Sequence, residues 1–342
     1  MARQTILFGN KPSVLSAYSV VGTKEGQGPL GEWFDYISVD DTFGESTWEK
    51  SESKMLKTAI EQLIYTSGKT ENDIDVVLSG DLLNQIMSSS FMARDLSIPF
   101  IGLYGACSTM TESLMLAAVL ADGGYCNHVI NAASSHFCSA ERQFRMPLEH
   151  GNQKPPYAQS TVIGAGAMLL SGREKCRKGR NICVTSATIG KVIDQGVKDS
   201  NQMGAAMAPA AADTILTHFR ETGTGIRDYD AIVTGDLGFV GKDIAKDLLA
   251  TAGIPFIELE QKFMDCGEMI YEKKVDFEGG GSGCGCSGSV LAGYFYKQLK
   301  EGRLKRILAL STGALMSTIS PFQGESIPGI AHAVVLESEQ GD

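Results

Sequence analysis

The sequence predicts an internally duplicated α/β fold, and three repeated features of its 342 residues carry that expectation. An apolar strand run ending in Gly-Asp-Leu occurs twice, as Asp75-Val-Val-Leu-Ser-Gly-Asp-Leu82 and as Ala231-Ile-Val-Thr-Gly-Asp-Leu237, with Gly235 standing 155 positions after Gly80. Ile-Pro-Phe-Ile follows each copy, at Ile98 to Ile101 and at Ile254 to Ile257, and reads as a short covered strand. Then Gly105-Ala-Cys-Ser108 and Gly285-Cys286-Ser287 each head a helical pattern, closed by Asp122-Gly123 and by Glu301-Gly302. A further strand follows each helix, over 128–133 and 306–310. The shared order points to duplication of one unit. Alternating strand and helix in each half calls for mainly parallel sheets covered by helices.

The halves divide within the charged stretch Arg173 to Arg180, giving units 1–175 and 176–342. After it, Asn181 to Ala187 restarts the strand pattern of Gln4 to Phe8. With 43% hydrophobic side chains the chain can bury a large core. Forty acidic against 30 basic residues give a net charge of -10, which repels phosphate backbones and argues against nucleic acid as a partner. The longest apolar run, Leu114 to Ala121, is far shorter than the roughly 18 residues that span a bilayer. No secretory signal is visible at the start, so a cytoplasmic location is expected. Eight scattered cysteines outline no disulfide framework and are expected to be free thiols.

Cys107 is the strongest candidate for chemistry. The strand-like run Pro99 to Leu103 leads through Tyr104-Gly105-Ala106 to this thiol, and the next residues begin a helix. Unpaired N–H groups and the positive end of a helix dipole would lower its pKa and supply an oxyanion hole; a small-residue turn that merely fills space is the plain alternative. The tract Glu278-Gly-Gly-Gly-Ser-Gly-Cys-Gly-Cys-Ser-Gly288 contains a G-x-G-x-x-G match, but no acidic residue follows at the distance a dinucleotide site needs. It reads instead as a tight turn packed closely on the other half. Cys284 and Cys286 are too close together for a zinc ribbon pair. The polar stretch from His136 to Tyr157, with Arg142, Arg145 and Lys154, reads as a pocket cover or a solvated loop. His136 and His332 adjoin apolar strand runs, where proximity to Cys107 decides between a core role and ligand binding.

The strand, Gly-Ala-Cys-Ser-Thr turn, helix, doubled unit and late glycine tract together resemble the thiolase and ketoacyl synthase superfamily. Within it, SGDLLNQ, GACSTMTES, SSHFCSAERQFR, GKVIDQG, MGAAMAPAAADTI, GGSGCGCS and ESIPGIAHAVV, spread from residue 79 to 335, resemble the stage V sporulation protein AD family of spore-forming bacteria, as does GTKEGQGPLG near the start. The resemblance implies a thiolase-like α-β-α-β-α layered fold and a homodimer. It also implies a protein that binds dipicolinic acid and helps move it, with calcium, into the developing spore beside membrane proteins of the same transport system. Its place would be peripheral, at the inner forespore or spore membrane.

Departures from the enzymes of the superfamily bear on activity. Thiolases carry a His in a G-H-P-x-G-x-S-G turn, where this chain has Ser282. Ketoacyl synthases of the three-element type need a His after the strand that here ends in Thr234-Gly235-Asp236-Leu237. The C-x-G turn of thiolases is replaced by Glu325-Ser-Ile-Pro-Gly329. Without those groups, enolate formation loses acid, base and electrostatic help worth orders of magnitude. A non-catalytic dipicolinate binder is therefore expected, with no cofactor and no metal ligand set. Cys107, Ser282 and Cys284 would line its pocket, with His136, Arg142 and Arg145 near the mouth and His332 as a further candidate. Acyl transfer through Cys107 and a scaffold for a membrane transport complex are the alternatives.

Overall fold

The computed structural model describes residues 3–144, 155–174, 180–274 and 277–340. Five principal strands come from the first half: β1 (Ser13–Val21), β2 (Val76–Gly80), β3 (Phe100–Gly102), β4 (Val129–Ser135) and β5 (Gly164–Ser171). The second half repeats them as β6 (Asn181–Thr188), β7 (Ala231–Thr234), β8 (Phe263–Asp265), β9 (Arg306–Ala314) and β10 (Gly329–Glu339). Their spatial orders, β3-β2-β4-β5-β1 and β8-β7-β9-β10-β6, are the same order repeated. So is the polarity: β2 runs parallel to β3 and β4, while β5 runs antiparallel to β4 and β1. Likewise β7 is parallel to β8 and β9, and β10 is antiparallel to β9 and β6. The two sheets meet where Ser13 and Val14 of β1 pair with Cys183 and Ile182 of β6.

The principal helices are α1 (Trp48–Thr66), α2 (Met87–Arg94), α3 (Thr109–Asp122), α4 (Phe137–Phe144), α5 (Met203–Thr222), α6 (Gly238–Thr251), α7 (Phe256–Lys262) and α8 (Cys284–Val290), the last continuing through a π turn and a further helical turn to Lys300. Outer helix α1 starts at Thr47, whose hydroxyl accepts the Lys50 N–H, and buries one stripe: Ser51 and Glu52 near its start, then Met55, Leu56, Ala59, Ile60, Leu63 and Ile64. Helix α3 is apolar nearly all round because it has sheet on both sides. It packs on β2 and β4 of its own half and on β9 and β10 of the other. The layers therefore run α1 and α2, first sheet, α3 and α8, second sheet, α5 and α6, which is the layered order expected.

The glycine tract explains how α8 fits. A Cβ on Gly166 of β5 would lie 1.9 Å from the Gly288 carbonyl oxygen, and one on Gly285 would lie 2.2 Å from the Gly164 oxygen. Helix and strand backbones touch directly there. Residues Cys284 to Val290 are all buried as a result.

Three sequence expectations change. The second Ile-Pro-Phe-Ile is not a strand: after Pro255 the chain enters α7 and reaches the sheet only at Phe263, so the four-residue repeat is not a structural equivalence. Thr5–Leu7 is not the counterpart of β6 but pairs antiparallel with it, Thr5 opposite Thr188; the counterpart is β1. The stretch after His136 starts as a helix, α4, rather than a loop, with its inward residues spaced at Phe137, Ala140, Glu141 and Phe144. The division proposed between 175 and 176 lies outside the described residues, as does Arg145.

Because the Gly166 to Gly288 contact leaves no room for a methyl group, Gly166→Ala should destabilise the fold by about 1–3 kcal/mol. Urea unfolding would show a lowered midpoint, whereas Gly68→Ala at an open surface position should act only through its left-handed backbone.

Candidate functional site

The residues from β3 to α3 form a tight turn. Ala106 holds a left-handed φ of +50°, unusual for a residue with a Cβ. The turn is closed by Ser108, whose hydroxyl donates to the Gly105 carbonyl at 2.7 Å, and by Thr109, whose hydroxyl donates to that of Ala106 at 2.7 Å. Strand β9 presses on the turn from the other half, since a Cβ on Gly313 would come within 2.4 Å of the Gly105 oxygen. Cys107 is thereby fixed at the junction of the halves, 5% exposed, with α3 beginning two residues later.

A two-residue ladder builds the opposite wall. Ser160–Thr161 pairs in parallel with Gly281–Ser282, bringing Thr161 of the first half beside Ser282 of the second. Cys107, Thr161, Ser282 and Glu141 then face a cavity whose atom-free space, its mouth included, is about 460 Å³; Tyr104, Phe144, Met203 and Met316 contribute apolar wall. Thr161 donates from its hydroxyl to Glu141 Oε1 at 3.2 Å. No Lys, Arg or His is among the described residues lining the cavity.

Behind Cys107 lies Asp236, fully buried. Its Oδ2 accepts the Gly283 N–H at 2.9 Å and its Oδ1 the Thr312 hydroxyl at 2.6 Å. Burial pushes this carboxyl up to about 7, against the pull of those donors. Burial also pushes the Cys107 thiol well above its ordinary range, and the Asp236 and Cys284 charges add to the rise; the Gly283 N–H opposes it only weakly. The thiolate expected from a helix N-terminus is therefore absent at neutral pH, because desolvation and a neighbouring carboxylate outweigh the dipole.

The other expected residues disperse. Ser282 lines the cavity as anticipated, but Cys284 does not: it is buried under the turn, its Sγ donating to the Ser134 carbonyl at 2.9 Å. His136 faces away from the cavity, with Nε2 2.8 Å from the Asp41 carbonyl oxygen and its ring against Trp48, and burial lowers its pKa. Arg142 points to the opposite side of α4 and pairs with Glu49. His332 sits in β10, where Nδ1 accepts the Gly190 N–H at 3.2 Å; burial lowers its pKa to about 4. It too is a core residue. The seven described cysteines are all free. Sequence reasoning missed Glu141 and Phe144, although their spacing within the polar stretch is that of one helix face. It also missed Thr161, which only the distant pairing with Gly281–Ser282 reveals.

A thiolase-like condensing fold is the class that this architecture and junction cysteine define. An OleA variant from Xanthomonas campestris has a TM-score of 0.61 to this chain, at 15% identity over 97% of it and 98% of the other. The tetronic acid condensing enzyme AbyA1 has a TM-score of 0.60 at 16% identity, covering 95% and 99%. For 3-oxoacyl-[acyl-carrier-protein] synthase III of Aquifex aeolicus VF5 the values are 0.54 and 12%, covering 95% and 99%. These likenesses establish the fold. The sequence defines the family more narrowly: the model of Stage V sporulation protein AD matches residues 2–337. The chain is 44% identical to the Stage V sporulation protein AD of Bacillus subtilis (strain 168) over 339 residues, 99% of this chain and 98% of that protein. The chain belongs to the Stage V sporulation protein AD family. No helix among the described residues is long and apolar enough to cross a membrane.

A protonated, buried thiol should alkylate slowly. Cys107 should react with iodoacetamide at pH 7.5 at least tenfold more slowly than free cysteine, whose pKa is about 8.5, as read by peptide mass spectrometry. Buried carboxyls also set the pH dependence of folding. Asp236 and Glu25 are both raised to about 7 by burial, so the folded state holds protons that the unfolded chain releases near pH 4. Their stabilising contribution is complete below that lower pKa and is lost as pH rises through 7. Urea midpoints should therefore be higher at pH 5.5 than at pH 8.5, and Asp236→Asn should flatten part of that slope.

Proposed function

We propose that this protein is a non-catalytic, thiolase-like binder of dipicolinic acid that assists its uptake into the developing spore. The single observation that carries the reading is the junction cavity: it is built around Cys107 with no His among the described residues lining it, and Ser282 and Asp236 stand where the resemblance puts the catalytic histidines of the enzymes. A planar aromatic dicarboxylate asks for a narrow apolar slot with a few polar groups at its end. Tyr104, Phe144 and the two methionines offer the slot, and Ser282 and Thr161 the polar end. Dipicolinate is what the family resemblance suggests, and the apolar lining with its polar end supports it. Arg142, paired with Glu49, and His136, set against the Asp41 carbonyl, take no part in it. About a dozen heavy atoms at roughly 0.3–0.7 kcal/mol each correspond to a dissociation constant between about millimolar and micromolar.

Calcium enters the proposal as a companion of the ligand that neutralises its two carboxylates. Membrane proteins of the same spore transport system are the proposed partners, with this chain peripheral at the inner forespore or spore membrane. A homodimer is proposed through the exposed edge of β3, where Ile101 is 47% exposed beside a free ladder edge. Light scattering should give a dimer mass, and Ile101→Lys should give a monomer.

Acyl transfer through Cys107 is the second reading, favoured by the cysteine turn and by condensing enzymes of the same fold. Against it stand the protonated thiol and a His136 buried against Trp48, away from the cavity. Titration calorimetry with dipicolinate, with and without calcium, and with picolinate as a monocarboxylate control, distinguishes these. Saturable binding of dipicolinate is expected, weakened at least tenfold by Met316→Trp at the mouth and little changed by Arg142→Ala or His136→Ala. No saturable binding by the wild type would overturn the proposal in favour of a scaffold. Stable acylation of Cys107 by an acyl thioester would favour the enzyme.

A further inference from the structure

The cavity poses an electrostatic problem for any anionic ligand. Among the described residues, the titratable groups that line it are the Glu141 carboxyl, the Cys107 thiol and the Tyr104 phenol, and those packed behind them are acids and thiols. Asp236 lies behind Cys107 on the turn after β7; Cys284 and Cys286 approach it from α8, and Asp265 and Cys266 from the end of β8. Glu141 of α4 faces the cavity itself. Further back, Glu52 of α1 and Asp81 after β2 act on Cys284. The described lining offers no cation to offset a dianion. A second carboxylate brought within about 6 Å of Asp236 in this setting disfavours its ionised form strongly.

We infer that a dicarboxylate enters the junction pocket together with one proton, which is taken up by the buried carboxylate of Asp236. The inference rests on the proposed function. The step balances simply: the ionised carboxylate, a solvent proton and the dianion become a neutral carboxylic acid beside the bound dianion, and no covalent bond to the ligand forms. Geometry makes Asp236 the acceptor. It has no exposed surface, it accepts from the Gly283 N–H and the Thr312 hydroxyl, and it adjoins the Cys107 thiol that lines the cavity. In the free protein this carboxyl titrates at about 7, so it is the group caught between states near neutrality. Below that pH it is already protonated and the ligand binds without uptake. Above it each binding event must draw a proton, and affinity falls by up to about tenfold per pH unit. Glu141, held by the Thr161 N–H and hydroxyl, is the competing acceptor.

Titration calorimetry of the full chain with dipicolinate tests this between pH 6 and 9, where the ligand's carboxyls stay ionised. At pH 8 the heat should differ between Tris and HEPES by the amount that close to one proton per ligand requires. The dissociation constant should rise at least tenfold from pH 6.5 to pH 8.5. Asp236→Asn, checked by circular dichroism, should bind with buffer-independent heat and a flat pH profile. Thr312→Val removes one donor to the carboxylate and should move the onset of weakening to higher pH. Buffer-independent heat in the wild type, or uptake that persists in Asp236→Asn, would overturn the assignment while leaving dipicolinate binding intact. Absence of binding at every pH would instead remove the proposed function, and this inference with it.

Discussion

Backbone contact between α8 and β5 is the constraint on which the rest of the molecule depends. A central helical layer squeezed between two sheets is ordinarily spaced from each by the side chains that stand between them. Here Gly164 and Gly166 of the strand meet Gly285 and Gly288 of the helix, and the spacing closes to backbone contact. The start of α8 is thereby held against the end of β4, where the Ser135 hydroxyl accepts the Gly285 N–H at 3.1 Å. The residues just before it, Ser282 and Gly283, must then lie beside the Cys107 turn. The site follows from a packing requirement of the core, and Gly283, with a φ of +99°, takes a conformation that suits glycine.

That tightness also decides the electrostatics. A cysteine turn open to water at a helix N-terminus would favour a thiolate. The same turn sealed beneath β9 and the glycine tract leaves Cys107 with little solvation, and the nearest charged group is an acid rather than an imidazole. A carboxylate beside a thiol cannot stabilise the thiolate, and a carboxyl that titrates near 7 is a poor partner for developing negative charge. What remains is a cavity of mixed polarity with a protonated sulfur in its wall.

Much of this architecture was legible because it is duplicated. The two Gly-Asp-Leu strand ends and the two helix-heading glycine and cysteine segments fixed β2 against β7 and α3 against α8. Ile-Pro-Phe-Ile misled because four residues are too few to separate common ancestry from coincidence, and the proline that ends an extended run in one half precedes α7 in the other. The site was legible only where the motif was local. Cys107 and Ser282 sit in turns whose glycines announce close packing, so their place at the junction could be read. Thr161 and the two methionines come from segments far apart in the chain, and nothing local says which face of each will meet the cavity. The arginine and histidine expectations failed for a related reason. Charge counts cannot tell that Arg142 is one step round α4 from Glu141, on the side where Glu49 waits.

The duplicated acids show how one inherited turn acquires two roles. Asp81 and Asp236 occupy the same position after β2 and β7, and both are buried. Asp81 is occupied by its own half, its oxygens accepting the Leu83 N–H at 2.9 Å and the Ser89 N–H at 2.7 Å, so it braces the entry to α2. In the second half that bracing passes to Asp265, which accepts the N–H groups of Leu237 and Gly238 at 2.8 and 2.9 Å. Relieved of the turn, Asp236 is free to face the other way, toward Gly283, Thr312 and the Cys107 sulfur. The second half could place a titratable group in the junction because β8 ends in an aspartate, and the first half could not because β3 ends in a glycine. Position within the repeat is common to both acids; what the neighbouring strand end supplies decides which of them turns toward the junction.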